Sequence, residues 1–153
     1  MSIAGLAFHH VGIATRDLDA ALRVYESLGH ELILRLTDEA LGVHAAFLET
    51  TAATPGAATA LPNGCSGPYI ELVAAMDEAG GPLRALLKRG AVPGPYHTCY
   101  AVDDLVAASV KLRERGFVAL GKPTPAKAFG GAPILFHMHA AIGLVELIER
   151  PGF

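Results

Sequence analysis

The chain has 153 residues, of which 52% are hydrophobic and 18% charged, with 12 Lys and Arg against 15 Asp and Glu and a formal net charge of −3. The cations are scattered and do not alternate with aromatics, so this is the composition of one globular domain without a nucleic-acid footprint. No apolar run approaches the roughly 18 residues of a membrane span, and the opening MSIAGLAF lacks a basic region and long apolar core, which predicts a cytoplasmic protein with no membrane partner.

Phe8 to Ala14 reads as a strand, with Phe8, His10, Gly12 and Ala14 on one face and Val11 and Ile13 on the other. Asp17 stands at a helix N-cap before Leu18, Ala21, Leu22, Tyr25 and Leu28, which recur at helical spacing, and Gly29 ends that helix. Glu31 to Leu36 and Val43 to Glu49 read as strands joined by a polar turn containing Asp38, Glu39 and Gly42. The run TTAATPGAATALPNGCSG, residues 50–67, has the composition of a mobile loop. Pro68 to Ala74 is the fourth strand, and GGPLRALLKRG reads as a short helical connector.

The order then repeats. Tyr96 to Val102 reads as a strand, Asp104 to Arg115 as a helix, and Phe117 to Leu120, Pro133 to Met138 and Gly143 to Glu149 as strands. KPTPAKAFGG, from Lys122 to Gly131, is predicted to be a flexible lid. The domain reading is thus residues 1–153 as one domain of two repeats: a βαβββ module over 8–75, a linker with a short helix over 76–95, and a second βαβββ module over 96–150. Cys65, in a loop, and Cys99, in a strand, are expected to be thiols.

The repeat is visible in the letters themselves. FHHVGIATRDLDAALRVYESLG returns without a gap, 87 residues later, as PYHTCYAVDDLVAASVKLRERG, which carries His10 onto His97, Asp17 onto Asp104 and Gly29 onto Gly116. Each copy later reaches an acid inside an apolar strand, Glu71 in YIELV and Glu146 in LVELI. An unpaired carboxylate there would cost several kcal/mol of desolvation, so something must compensate both. One histidine or one glutamate alone would be read as an ordinary packed or ion-paired side chain. Two matched pairs point instead to a metal site: two neutral imidazoles and two carboxylates balance a divalent ion, and the mixed N and O donors suit Zn, Ni, Co, Mn or Fe(II). Of the other histidines, His9 is expected to face away from His10, and His9 and His30 to be surface or packing residues. His44, His137 and His139 sit in or beside strands that border the expected cavity. Lys122 and Lys127 are placed to meet a phosphate or carboxylate, though solvated lysines are the commoner case.

From Phe8 to Arg150 these residues resemble the vicinal oxygen chelate superfamily, also called the glyoxalase/bleomycin-resistance fold. The resemblance implies an α+β fold in which two βαβββ modules form an open eight-stranded cup. It also implies one divalent metal ion on His10, Glu71, His97 and Glu146. Within the superfamily, GPLRALLKRG followed by PYHTCYAVDDL, and AFGG leading through ILFH to GLVELIE, are most similar to methylmalonyl-CoA epimerases. That likeness implies proton abstraction next to the carbonyl of a methylmalonyl-CoA-like acyl-CoA through a metal-stabilised enolate, with Glu146 as catalytic base, and a homodimer. His44, Phe129, Gly130 and His137 are the candidate substrate contacts.

Two positions depart from the epimerase pattern. Many epimerases have Gln where this chain has Glu71, a feature shared with bacterial-type glyoxalase I, and the second acid/base falls on Ala40, with Glu39 and His44 beside it. The alternatives are therefore a glyoxalase I-type lyase, although no glutathione signature is recognisable, and a non-catalytic drug-binding or self-resistance protein, which commonly lacks the metal ligands. An extradiol dioxygenase usually has three ligands rather than four.

Overall fold

The computed structural model describes residues 3, 5–50, 68–76, 81–90 and 92–150. Most of the loop expected over 50–67, Cys65 included, lies outside the described residues. The elements run β1 (Ala7–Thr15), α1 (Leu18–Ser27), β2 (His30–Asp38), β3 (Val43–Thr50), β4 (Tyr69–Ala75), α2 (Gly81–Lys88), β5 (Gly94–Val102), α3 (Leu105–Arg113), β6 (Val118–Pro125), a single 3₁₀ turn (Lys127–Phe129), β7 (Pro133–His139) and β8 (Gly143–Glu149). None of these helices is long and apolar enough to cross a membrane.

The two copies begin alike for the same local reasons. Asp17 Oδ1 accepts from the Ala20 amide at 2.9 Å and Asp104 Oδ1 from the Ala107 amide at 2.8 Å, each capping the first turn of its helix. Gly29 (φ 90°) and Gly116 (φ 86°) then take the left-handed conformation that turns the chain back toward the sheet.

All eight strands form one open, mixed sheet in the order β2-β3-β4-β1-β5-β8-β7-β6, the α+β cup of two βαβββ units. Within each unit the first strand pairs in parallel with the last, β1 with β4 and β5 with β8, and the antiparallel β1–β5 pair joins the units at the centre. Both units belong to one chain. Strand alternation separates two kinds of core. On the outer side, Ala46, Leu48, Leu72 and Ala74 pack under Leu18 and Leu22 of α1, and Leu135, Val145 and Leu147 under Leu105, Ala108 and Leu112 of α3. On the concave side, Phe47, Tyr69, Cys99, Phe129, Ile134 and Ile148 share a third cluster.

Two sequence readings are corrected here. Alternation fails at the start of β1, where the pairing with β5 slips between Phe8 and His10. This bulge turns His9 into the interior, 2% exposed, and leaves Phe8 46% exposed against the edge of Tyr100, so Phe8 does not share the face of His10. The segment Lys122 to Gly131 is also not a free lid: β6 runs to Pro125, and the 3₁₀ turn that follows is tied to the other module.

That tie runs between the connections that leave the two edge strands. Buried Asp38, at the end of β2, accepts from the Ala40 and Leu41 amides through Oδ1, both at 3.1 Å, and from the Lys127 amide through Oδ2 at 2.8 Å. Lys127 Nζ donates to the Thr37 carbonyl at 2.9 Å and lies 3.4 Å from Glu39 Oε2. Asp38→Ala strands three amides at once. It is expected to lower stability by about 1–3 kcal/mol, seen as a lower urea midpoint at unchanged slope.

Candidate metal centre

Register alone brings the four repeated residues together. One row across the sheet reads Phe47, Glu71, Gly12, His97, and the next reads His10, Cys99, Glu146, Phe136. Each row holds one histidine from one module and one glutamate from the other, with a small residue between them. His10 precedes Gly12 by two positions and His97 precedes Cys99 by two, so all four side chains rise from the concave face.

Gly12 is required by this arrangement. A Cβ on it would lie 2.3 Å from His97 Cε1 and 2.5 Å from Nδ1, because the ring leans across the glycine toward Glu71. The sequence repeat marks both ends of this contact, Gly12 and its counterpart Cys99, but does not show that they face the histidines; only the β1–β5 register does.

The donor atoms converge closely. His97 Nε2 lies 2.9 Å from Glu146 Oε2 and 3.2 Å from Glu71 Oε2; His10 Nε2 lies 3.2 Å from Glu71 Oε2 and 3.4 Å from Glu146 Oε2; the two Nε2 atoms are 2.9 Å apart. Phe47 meets the His10 ring edge-on at 5.5 Å and Phe136 meets His97 at the same distance, while Phe129 stacks over His10 at 6.0 Å. These walls keep the cluster in a low-dielectric setting. The cluster borders a cavity of about 420 Å³ that extends past Tyr96 and Leu83 to the β2–β3 turn, where Glu39 and Ala40 line it.

Charge is balanced inside the cluster. Burial pushes the His97 imidazole down, but Glu146 and Glu71 outweigh it and His97 is pushed up to about 9. His10 is likewise raised, burial being overcome by its hydrogen bonds to Glu146 and Glu71. Burial raises both carboxyls, yet the histidines hold Glu71 below its ordinary value and Glu146 far below it.

The four residues fit a divalent ion. Bonds of about 2.0–2.2 Å to N and O donors place neighbouring donors roughly 2.9–3.5 Å apart, the range spanned by the five contacts above. The charges match as well, since two carboxylates and two neutral imidazoles neutralise the ion where two imidazolium groups otherwise do so.

The remaining candidates are distributed differently. Phe129 lies in the cluster wall and Gly130 is an exposed left-handed residue just beyond it. His137 points the other way: it is fully buried beneath α3, with Nε2 2.9 Å from Ser109 Oγ, because its neighbours Ile134 and Phe136 take the concave face. His44 is exposed and bonds Thr37 Oγ1 at 2.8 Å, and His139 packs on Phe117 at 4.6 Å, so neither reaches the cavity. His30, at the start of β2, packs on Tyr25. Sequence reading missed His9, whose Nδ1 lies 2.8 Å from His10 Nδ1, since only the bulge brings it inside.

Residues 9–136 match the profile of the glyoxalase/bleomycin resistance protein/dioxygenase superfamily. The chain belongs to that superfamily. A curated member, the ethylmalonyl-CoA/methylmalonyl-CoA epimerase of Cereibacter sphaeroides, is 33% identical over 129 residues, 84% of each chain. Methylmalonyl-CoA epimerase from Mycobacterium tuberculosis has a similar crystal structure, with TM-score 0.71 and 30% identity over 99% of this chain and 94% of that one. A variant of the Streptomyces coelicolor methylmalonyl-CoA epimerase in complex with 2-nitronate-propionyl-CoA superposes with TM-score 0.73 and 25% identity, covering 97% of this chain and 100% of that one. The superfamily cup is thus the setting in which the two histidines and two glutamates stand, and the relatives named here are acyl-CoA epimerases.

Two outcomes are expected. Gly12→Ala forces the His97 ring off its seat and should cost about 1–3 kcal/mol of stability by overpacking, measured by urea unfolding. In chelator-treated protein, the raised His97 stabilises fully below its ordinary value of 6.5, and that stability is lost as pH rises through about 9. The lowered Glu146 stabilises above its ordinary value of 4.5 and loses that effect in acid. The cluster's contribution should therefore be complete between pH 4.5 and 6.5 and decline on both sides, which a pH series of unfolding midpoints reads directly.

Proposed function

We propose that this protein is a metal-dependent epimerase acting on a methylmalonyl-CoA-like acyl thioester, by proton removal next to the carbonyl. The observation that carries the reading is the convergence of His10, Glu71, His97 and Glu146 within hydrogen-bonding distance at the wall of a cavity large enough for a small acyl group. Its relatives' names supply the substrate class. The four residues would hold one divalent ion of the Zn, Ni, Co, Mn or Fe(II) type. When bound, such an ion supplies Lewis-acid stabilisation of the negative charge that grows on a substrate carbonyl oxygen.

The chain's own groups do the rest. Glu146 turns Oε2 to both histidines, and its Oε1 is assigned the substrate's α-proton. Burial raises this carboxyl, but the two histidines lower it further and keep it in the ionised form that a base requires. Phe47, Phe129 and Phe136 pack on the two histidines and limit water on that side of the cluster.

Inversion needs a second proton carrier on the opposite face. Ala40 lines the cavity but has no acid; Glu39 lines it too, and His44 does not. Glu39 is assigned this role over His44. Backbone hydrogen bonding and Lys127 hold its carboxyl below the ordinary value. A glyoxalase I-type lyase is the second reading, favoured by Glu71 in the cluster and by the absent acid at Ala40.

The test is NMR of metal-loaded protein with methylmalonyl-CoA in deuterated water, scoring α-hydrogen exchange and inversion separately. Both are expected, with about one metal ion per chain by elemental analysis, and Glu146→Gln should slow exchange by about 10²–10⁴-fold. Exchange without inversion would remove Glu39 from the mechanism. Absence of exchange defeats the epimerase reading, and the hemithioacetal of methylglyoxal and glutathione then tests the lyase.

A further inference from the structure

The repeat gives the two histidines equal stations on the sheet, but their far ring nitrogens are not treated equally. Nδ1 of His97 is buried and has no hydrogen-bond partner among the described residues. Nδ1 of His10 lies 2.8 Å from Nδ1 of His9. The position matching His9 in the second copy is Tyr96, whose ring stands edge-on to His97 at 4.7 Å and offers no imidazole. His9 comes within reach only because the β1 bulge folds two consecutive side chains onto one side of the strand. It is 2% exposed and is fixed by Tyr69 at 5.3 Å and Phe129 at 5.5 Å.

A bond between two Nδ1 atoms demands that one ring donate and the other accept. Were His9 the donor, a neutral His10 would carry its proton on Nε2, the atom that faces Glu71, Glu146 and His97, and could not offer a lone pair there. With His10 donating, Nε2 is left bare and aimed at the cluster. We infer that His9 is a positioning residue: its Nδ1 accepts from His10 Nδ1–H, locks the tautomer and ring angle of His10, and makes this histidine the preorganised ligand of the pair. This role rests on the metal reading proposed above. His97 is oriented by a different device, the space over Gly12.

The inference is tested without measuring turnover. His9→Leu removes the acceptor and leaves an apolar side chain among Tyr69 and Phe129. His9→Asn keeps an acceptor, since Oδ1 sits where the imidazole Nδ1 did. Folding is checked by circular dichroism, and zinc affinity is measured by chelator competition. His9→Leu is expected to bind zinc about 10–100-fold more weakly than wild type, and His9→Asn to recover most of the loss. Independently of any variant, ¹⁵N NMR of zinc-loaded wild-type protein should find a scalar coupling between the Nδ1 atoms of His10 and His9 across their hydrogen bond, with the proton on His10. Wild-type affinity in a folded His9→Leu, equal weakening by both variants, or zinc-loaded protein without that coupling would each overturn the role of His9. A misfolded His9→Leu leaves the coupling measurement to decide. Wild-type protein that binds no zinc, nickel, cobalt, manganese or iron(II) overturns the metal reading instead, and with it this role.

Discussion

The antiparallel pairing of β1 with β5 places Gly12 opposite His97 and His10 opposite Cys99, and the centre of the molecule depends on that register. Side chains in a sheet alternate with period two, so a slip of one residue would turn one histidine away from the other and leave the two buried glutamates short of a partner. The penalty for such a slip is therefore electrostatic as well as hydrophobic. It also follows that neither module can assemble the cluster alone, because each histidine shares its row with the other module's glutamate.

Burial and charge pull in opposite directions here. Desolvation disfavours every charged form in the cluster, and for all four groups it is the largest single influence. Mutual hydrogen bonding and Coulomb attraction outweigh it, because the phenylalanine walls that exclude water also strengthen the attraction. The arrangement holds as a set: removing one carboxylate leaves an excess buried charge rather than a merely weaker site. Small residues at the pivots are part of the same balance, since a full side chain at Gly12 would push His97 away from Glu71.

The repeat made much of this legible. Duplicated His10 and His97, with Glu71 and Glu146 in otherwise apolar strands, named the cluster, and the N-caps at Asp17 and Asp104 set both helix starts. What stayed hidden depended on contacts between segments distant in sequence. Alternation misassigned Phe8 and His9 because a bulge costs one residue of register and leaves no letter of its own. His137 reads as a cavity residue until the direction of β7 is known, which Ile134 and Phe136 settle by occupying the concave face. Glycine-rich composition made Lys122 to Gly131 look free, whereas Asp38 and the Lys127 amide, 89 positions apart, tie it down.

Duplication also locates what is particular to this chain. The β2–β3 turn and the β6–β7 connection occupy equivalent places in the two modules, yet one is a short turn containing Glu39 and Ala40 and the other a 3₁₀ turn led by Lys127. They meet across the mouth of the cup, where Asp38 and Lys127 join them. Symmetry supplies a matched set of ligands, but inversion of a stereocentre needs different groups on the two faces of a plane. In the proposed reaction Glu146 serves one face from inside the symmetric cluster, and the opposite face can be served only from this unsymmetrical rim. Lys127 takes part in both devices: its amide closes the rim on Asp38, and its Nζ lies beside Glu39, whose carboxyl is lowered first by its backbone hydrogen bond and then by this lysine.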